Sequence, residues 1–252
     1  MSGTAIISAA GWKGSGFGSD LSGCPEAFLP LGDGTTTLSR AAMIFKKLGF
    51  DICTAVVKRG YPYKKYPVRR ETTPENMGLS GDDSPWSQER VDYAAQFGEV
   101  VEIPDPGWAS VYDTFCIVMD HLGKQKWDKL VLAMGDMLME AGYLEAIMTQ
   151  LPWPSQYVFT PGHSYLLLNT AGAVFFQQYI EPRRRHASWA EWAHRSPYQP
   201  AGHPQGSSAM QRGGVPTYSS HNGPDGKWLD IDTPTNYETA LKLVADGTFA
   251  WK

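Results

Sequence analysis

Cysteine is scarce in this chain: Cys24, Cys53 and Cys116 are the only three in 252 residues, an odd number with no Cys-x-x-Cys spacing. Neither a disulfide framework nor a zinc knuckle is expected from them, and a reducing compartment suits them. Long apolar runs are missing too. No stretch approaches the roughly 20 apolar residues that a membrane helix needs, and the N-terminus has no basic segment leading into a long apolar core. A cytoplasmic protein, neither secreted nor membrane-inserted, is therefore the expectation. Charged residues make up 19% of the chain and the formal net charge is -4. Such a balance has no general attraction for a phosphate backbone, so nucleic-acid binding is not expected and small-molecule partners are. No pair of the six histidines has the i, i+4 spacing beside a glutamate that makes a helical zinc site.

Apolar residues reach 42%, enough for a continuous core. Residues 1–252 are expected to form one domain, with a surface insertion near residues 58–90 and an irregular excursion near residues 182–224. The insertion carries Lys64, Lys65, Arg69 and Arg70, either an anion-facing patch or a solvated charge run. The excursion is rich in Pro, Gly, Ser, His and Arg. An oligomer is compatible with either feature.

Residues 4–10 (TAIISAA) form a short, mostly apolar run that stops at Gly11, as a buried parallel strand does. Leu38, Ala41, Ala42, Phe45 and Leu48 recur at helical spacing, with Gly49 placed to end the helix, and residues 50–57 (FDICTAVV) read as a second strand. Strand, loop, helix and strand make a βαβ unit with parallel strands. Further strands are expected at residues 100–103, 129–134, 156–159, 164–169 and 228–231. Helices are expected at 111–122, 142–150 and 173–180, with a last one after the final strand. The alternation predicts a three-layer α/β/α sandwich with a mostly parallel, mixed sheet.

Ala9-Ala10-Gly11-Trp12-Lys13-Gly14-Ser15-Gly16-Phe17-Gly18 puts four glycines directly after the first strand. Backbone N–H groups there can approach phosphate oxygens without side-chain interference. The G-x-G-x-x-G frame of a dinucleotide site is not present. Asp136 follows the strand at 129–134, at the edge where open α/β sheets bind ligands. Asp230 and Asp232 are two apart, so in a strand they share one face while Ile231 turns to the other. Magnesium is commonly held by one or two carboxylates plus substrate phosphates, a set that Asp136 with Asp230 or Asp232 can provide. Each aspartate alone could equally be a turn or cap residue.

Four segments occur in order: AIISAAG, PEAFLPLGDGTTTLSRAAMIFKKLGF, KLVLAMGDMLM and KWLDIDTPTNYETAL. Together they resemble the sugar-phosphate nucleotidyltransferases, whose architecture is the GT-A fold. The segment from Pro106 to Tyr112, with Trp108 and Ser110, is similar to the nucleotide-side loop of the phosphocholine cytidylyltransferase branch. The resemblance implies a nucleotide held by Ala9, Ala10, Gly11, Trp12, Lys13, Gly14, Ser15, Gly16, Glu26, Trp108 and Ser110. It also implies Mg2+ on Asp136, Asp230 and Asp232, with Asp136, Asp230 and Lys13 catalytic. The reaction would be attack of a sugar phosphate, or a similar small phosphate, on the α-phosphate of a nucleoside triphosphate.

Two positions depart from the family pattern. The family's loop Arg has no counterpart between Gly14 and Phe17, and the Lys of its Pro-Lys pair is Glu26 here. Loss of two cations from a phosphoryl-transfer site removes stabilisation of developing charge. Lys13 is the nearest substitute. Two other readings therefore stand beside the first: a GT-A glycosyltransferase that takes a finished nucleotide-sugar, and a catalytically silent nucleotide-binding relative.

Overall fold

The computed structural model describes residues 3–10, 24–57, 87–103, 111–140, 142, 157–159, 165–168, 170, 173–174, 217–219, 228–231 and 233–249. The chain opens with strand β1 (Gly3–Ser8), helix α1 (Thr37–Lys47) and strand β2 (Phe50–Val57). Helix α2 (Gln88–Ala95), strand β3 (Glu99–Ile103), helix α3 (Val111–Leu122) and strand β4 (Leu130–Met134) follow. Short strands β5 (Met137–Met139), β6 (Tyr157–Phe159), β7 (Tyr165–Leu168), β8 (Thr217–Ser219) and β9 (Trp228–Asp230) precede helix α4 (Pro234–Ala245).

Seven strands form one sheet in the order β3-β2-β1-β4-β7-β6-β8. The first four are parallel, β7 runs antiparallel to both β4 and β6, and β8 is parallel to β6. The central strands are apolar on both faces because both faces are covered. In β1, Ile6 packs with Phe115, Cys116 and Met119 of α3, while Ala5 and Ile7 pack with Leu38, Ala42 and Phe45 of α1. In β4, Leu130 and Leu132 join the α3 side, and Val131 and Ala133 join the α1 side. This period of two, buried at both phases, is the signature of a parallel sheet between helical layers. The architecture is a three-layer α/β/α sandwich with a mixed, mostly parallel sheet.

Local chemistry sets the ends of α1. Thr36 accepts from the Ser39 N–H at its start, Ser39 accepts in return from the Thr36 N–H at 2.8 Å, and Gly49 takes a φ of 83° just beyond its last turn. That is a capping box at one end and a left-handed stop at the other.

A third apolar cluster lies apart from the two sheet faces. Leu29, Leu31, Leu138, Ile231, Tyr237, Ala240, Val244 and Phe249 pack together, joining α4 to the β5–β9 ribbon and to the segment before α1.

Several boundaries differ from those expected. β1 ends at Ser8, two residues before the apolar run does, although the Ala9 N–H still donates to the Ala55 carbonyl at 3.0 Å. The insertion expected near 58–90 stops short of 88–90, which belong to α2. Ser87 caps that helix by accepting from the Arg90 N–H. Only Ala94 of α2 is buried, so its amphipathic signal is faint. The excursion near 182–224 contains β8, whose three residues pair in parallel with β6. The rest of both segments, residues 58–86 included, lies outside the described residues. So do most of the helices expected at 142–150 and 173–180, of which 142 and 173–174 are described, all helical.

Candidate functional site

The site is best built from Gly135, which separates β4 from β5. Its N–H donates to the carbonyl of Ser8, the last residue of β1, at 3.0 Å. Its own carbonyl accepts from Thr37 Oγ1, in the first turn of α1, at 2.5 Å. Thr37 Oγ1 also lies 3.3 Å from the Ala27 carbonyl, but a hydroxyl has one proton and the shorter contact takes it. A Cβ on Gly135 would collide with the Ser8 carbonyl oxygen and come within 2.8 Å of Ala27 Cβ. Four segments thus meet here: the carboxyl edge of β1, the end of β4, the start of α1 and the turn at Glu26–Phe28. Ala9 and Ala10 continue from this edge and are buried. Glu26, adjacent to Ala27 in the same turn, is only 4% exposed. A negative charge at this position would repel a phosphate placed beside it.

After Gly135 the chain leaves the large sheet. β5 pairs antiparallel with β9, with Met137 opposite Asp230 and Leu138 opposite Leu229, and the Ile231 N–H donates to the Asp136 carbonyl at 3.1 Å. Asp136 and Asp230 therefore occupy neighbouring rungs of one ladder, Asp136 in the turn and Asp230 at the strand end. Both are half-buried. Ile231 turns inward and is fully buried, as the spacing of the two aspartates anticipates.

The backbone at Asp230 is held from beyond the strand. Asn236 Nδ2 donates to the Asp230 carbonyl at 2.8 Å, while the Asn236 N–H donates to Thr233 Oγ1 at 3.2 Å. Pro234 sits in the first turn of α4, where its missing N–H costs nothing. The wall behind the ribbon is tied by Tyr237, whose hydroxyl donates to the Pro30 carbonyl at 2.6 Å. Burial pushes the Tyr237 hydroxyl pKa up, with the nearby Cys24 adding to it. Burial also raises the Cys24 thiol, against the opposing charge of Arg90.

Among the described residues, no group of three or more His, Cys, Asp or Glu side chains is arranged to hold a metal ion. Magnesium does not require three: two carboxylates with substrate phosphates form an adequate oxygen set. Asp136 and Asp230 are hard oxygen donors on adjacent rungs of one ladder, and it is their donor chemistry that suits such an ion. Asp232 lies outside the described residues, as do Gly11, Trp12, Lys13, Gly14, Ser15, Gly16, Trp108 and Ser110.

No protein-family model matches the chain, and no curated protein matches it. Solved structures do. The inositol-1-phosphate CTP transferase from T. maritima aligns over 96% of this chain and 96% of its own, at 14% identity and a TM-score of 0.51. A UDP-glucose pyrophosphorylase complexed with UDP-glucose covers 98% of this chain and 99% of its own, at 10% identity and a TM-score of 0.54. The UDP-glucose pyrophosphorylase from Acinetobacter baumanii covers 97% and 93%, at 12% identity and a TM-score of 0.53. The chain has the fold of the sugar-phosphate nucleotidyltransferases. Within this nucleotidyltransferase fold, the expected Ala9, Ala10, Glu26 and Asp136 gather around the Ser8–Gly135 junction, and Asp230 is joined to Asp136 through the ribbon.

The sequence reading does not single out Thr37 or Asn236, which hold the backbone at Gly135 and Asp230. Faint signals exist: the run Thr35-Thr36-Thr37 across the start of α1, and Thr233-Pro234 across the start of α4, mark helix starts where such side chains reach neighbouring backbone. No helix of the described residues is long and apolar enough to cross a membrane.

Proposed function

We propose that the chain is a nucleotidyltransferase that condenses a nucleoside triphosphate with a sugar phosphate, or a similar small phosphate, to give a nucleotide-activated product and pyrophosphate. Residues 1–252 act as one domain in this reading. The observation that carries it is the docking of the Gly135–Asp136 turn on the end of β1, with Asp230 on the paired strand. The resemblance of the sequence segments and the activities of the aligned nucleotidyltransferases support it.

An oxygen of the acceptor phosphate bonds to the α-phosphorus as the α–β bridging bond breaks, and pyrophosphate leaves with the electron pair. The protein's share is positioning and electrostatics. Backbone groups following Ala9 and Ala10, through the glycines at 11, 14 and 16, receive the nucleotide phosphates. This reading assigns Lys13 as the cation for the developing charge, and Trp108 and Ser110 as contacts of the nucleotide. Asp136 and Asp230, with Asp232, would hold Mg2+, which would supply neutralisation of phosphate charge.

Glu26 favours a second reading. A carboxylate buried beside the Gly135 junction repels a triphosphate, whereas a glycosyltransferase of the same fold takes a finished nucleotide-sugar.

One experiment separates the two. The protein is incubated with Mg2+, each of the four nucleoside triphosphates, and a panel of sugar 1-phosphates and phosphocholine. Pyrophosphate release is followed, with Asp136→Ala as control. Release that disappears in the variant supports nucleotidyl transfer. Absence of release, with nucleotide-sugars and not triphosphates raising the melting temperature, overturns it in favour of glycosyl transfer. Triphosphate binding with no turnover leaves a silent relative.

A further inference from the structure

The two acids reach adjacent rungs where the chain changes sheets, held on the main chain by the Gly135–Ser8 and Ile231–Asp136 bonds and by the pairing of Asp230 with Met137. Asp136 stands in the turn where the chain passes from the seven-stranded sheet to the β5–β9 ribbon, and Asp230 is the last residue of its strand. Two side chains add further restraints. Thr37 Oγ1, 1% exposed, donates to the Gly135 carbonyl at 2.5 Å across 98 residues of sequence. Asn236 Nδ2 donates to the Asp230 carbonyl at 2.8 Å. Each contact fixes the peptide immediately before or at one acid. Both donors start from helix first turns, α1 for Thr37 and α4 for Asn236, each anchored by its own threonine cap.

We propose that Thr37 and Asn236 are positioning residues that set the spacing of the Asp136–Asp230 pair, and through it the affinity of the site for a divalent cation, without touching the ion. This rests on the reading of Asp136 and Asp230 as the metal-holding acids. Groups that orient ligands from behind change metal affinity by about ten- to a hundredfold when removed, because the cost of reorganising the ligands falls on binding. Thr37→Val keeps the side-chain shape and removes the donor. Thr37→Ser keeps the donor and removes a methyl group. Asn236→Ala frees the Asp230 carbonyl at a half-buried helix start that tolerates truncation.

The test titrates Mn2+ into the protein, following free Mn2+ by electron paramagnetic resonance, with and without a non-hydrolysable nucleoside triphosphate. Melting temperatures are measured in parallel. The expected result is a Kd for Mn2+ raised about tenfold or more in Thr37→Val and in Asn236→Ala. Thr37→Ser should bind near the native value, and Asp136→Ala should lose the site. Rescue by serine separates positioning from loss of packing, which serine does not restore. If Asp136→Ala weakens Mn2+ binding while Asn236→Ala and Thr37→Val bind as the native chain does, the positioning role is overturned and the metal reading stands. If Asp136→Ala binds Mn2+ normally, the metal reading itself falls, and the positioning role with it. Should Thr37→Val not fold, Asn236→Ala alone decides between these outcomes.

Discussion

The N–H of Gly135 donates to the carbonyl of Ser8 at 3.0 Å, and this bond joins the acid-bearing turn to the carboxyl edge of the first strand. The approach leaves no room for a side chain: an added Cβ would strike the Ser8 oxygen and sit 2.8 Å from Ala27 Cβ. Both obstacles belong to packed main chain or to a short side chain that cannot swing away. Gly135→Ala is therefore expected to destabilise by about 1–3 kcal/mol through overpacking. It should also displace Asp136, so that, if the proposed nucleotidyl transfer holds, pyrophosphate release falls by more than the loss of folded protein explains. Urea denaturation beside the activity assay checks both. Native stability with native activity would mean that the junction is looser than its geometry.

Arg40 is a buried cation tied to Asp33, Thr35 and Phe249. Its side chain is 3% exposed, and one terminal nitrogen lies 2.7 Å from Asp33 Oδ2. Its Nε donates to Thr35 Oγ1 at 2.8 Å, and the other terminal nitrogen donates to the Phe249 carbonyl. It clasps the loop before α1 to the turn after α4. Arg40→Met is expected to cost about 2–3 kcal/mol, because buried acceptors lose a charged donor. Asp33→Asn should cost about 1 kcal/mol or less, since Asp33 is 31% exposed and water replaces much of what it loses. Equal costs for the two variants would contradict this asymmetry.

The same clasp shapes the acid limb of stability. Partial burial works against ionisation of Asp33, but hydrogen bonds from Thr35 and the Arg40 charge outweigh it and hold the carboxyl below its ordinary value. Near pH 4 the unfolded chain then binds more protons at this residue than the folded one, so stability rises with pH. The contribution is complete above the ordinary carboxylate range, about pH 4, and is lost as pH falls through the lower folded value. Denaturation midpoints across this window should fall more steeply in the native chain than in Asp33→Asn.

Thr54 carries a hydroxyl that is unsatisfied among the described residues. It is fully buried in β2, its Oγ1 has no hydrogen-bond partner among the described residues, and its cross-strand neighbours are Ile7 and Val100. Burying an unsatisfied hydroxyl is unfavourable. Thr54→Val, similar in shape, should stabilise the protein by about 1 kcal/mol. A calorimetric melting temperature that drops instead would point to a partner for this hydroxyl in solution.

Helices and strands whose signals are local were legible directly. The α3 range matches its apolar spacing residue for residue, β2 matches its eight-residue run, and Gly49 marks the end of α1. The alternation of these elements was sufficient for the sandwich, because parallel crossovers oblige helices to cover both faces. Helix α2 was not legible, since it buries little and so carries little periodicity. β8 was not, since three residues amid Pro and Gly declare themselves only through a partner.

The site divides in the same way. Composition and spacing alone determined that Asp136 follows a strand, that Ile231 turns inward between two aspartates, and that glycines follow Ala10. The tertiary structure decided that β4 lies beside β1, that the chain then changes sheets at Gly135, and that β5 takes β9 as its partner. It also decided that Glu26 and Arg40, charged residues that composition assigns to the surface, are buried. The physical reason is range. Caps, turns and periodicity act over a few residues and are written in order along the chain. The closeness of Thr37 to Gly135, or of Asp136 to Asp230, depends on packing between segments about 100 residues apart, where many pairings are sterically open and the whole core selects one.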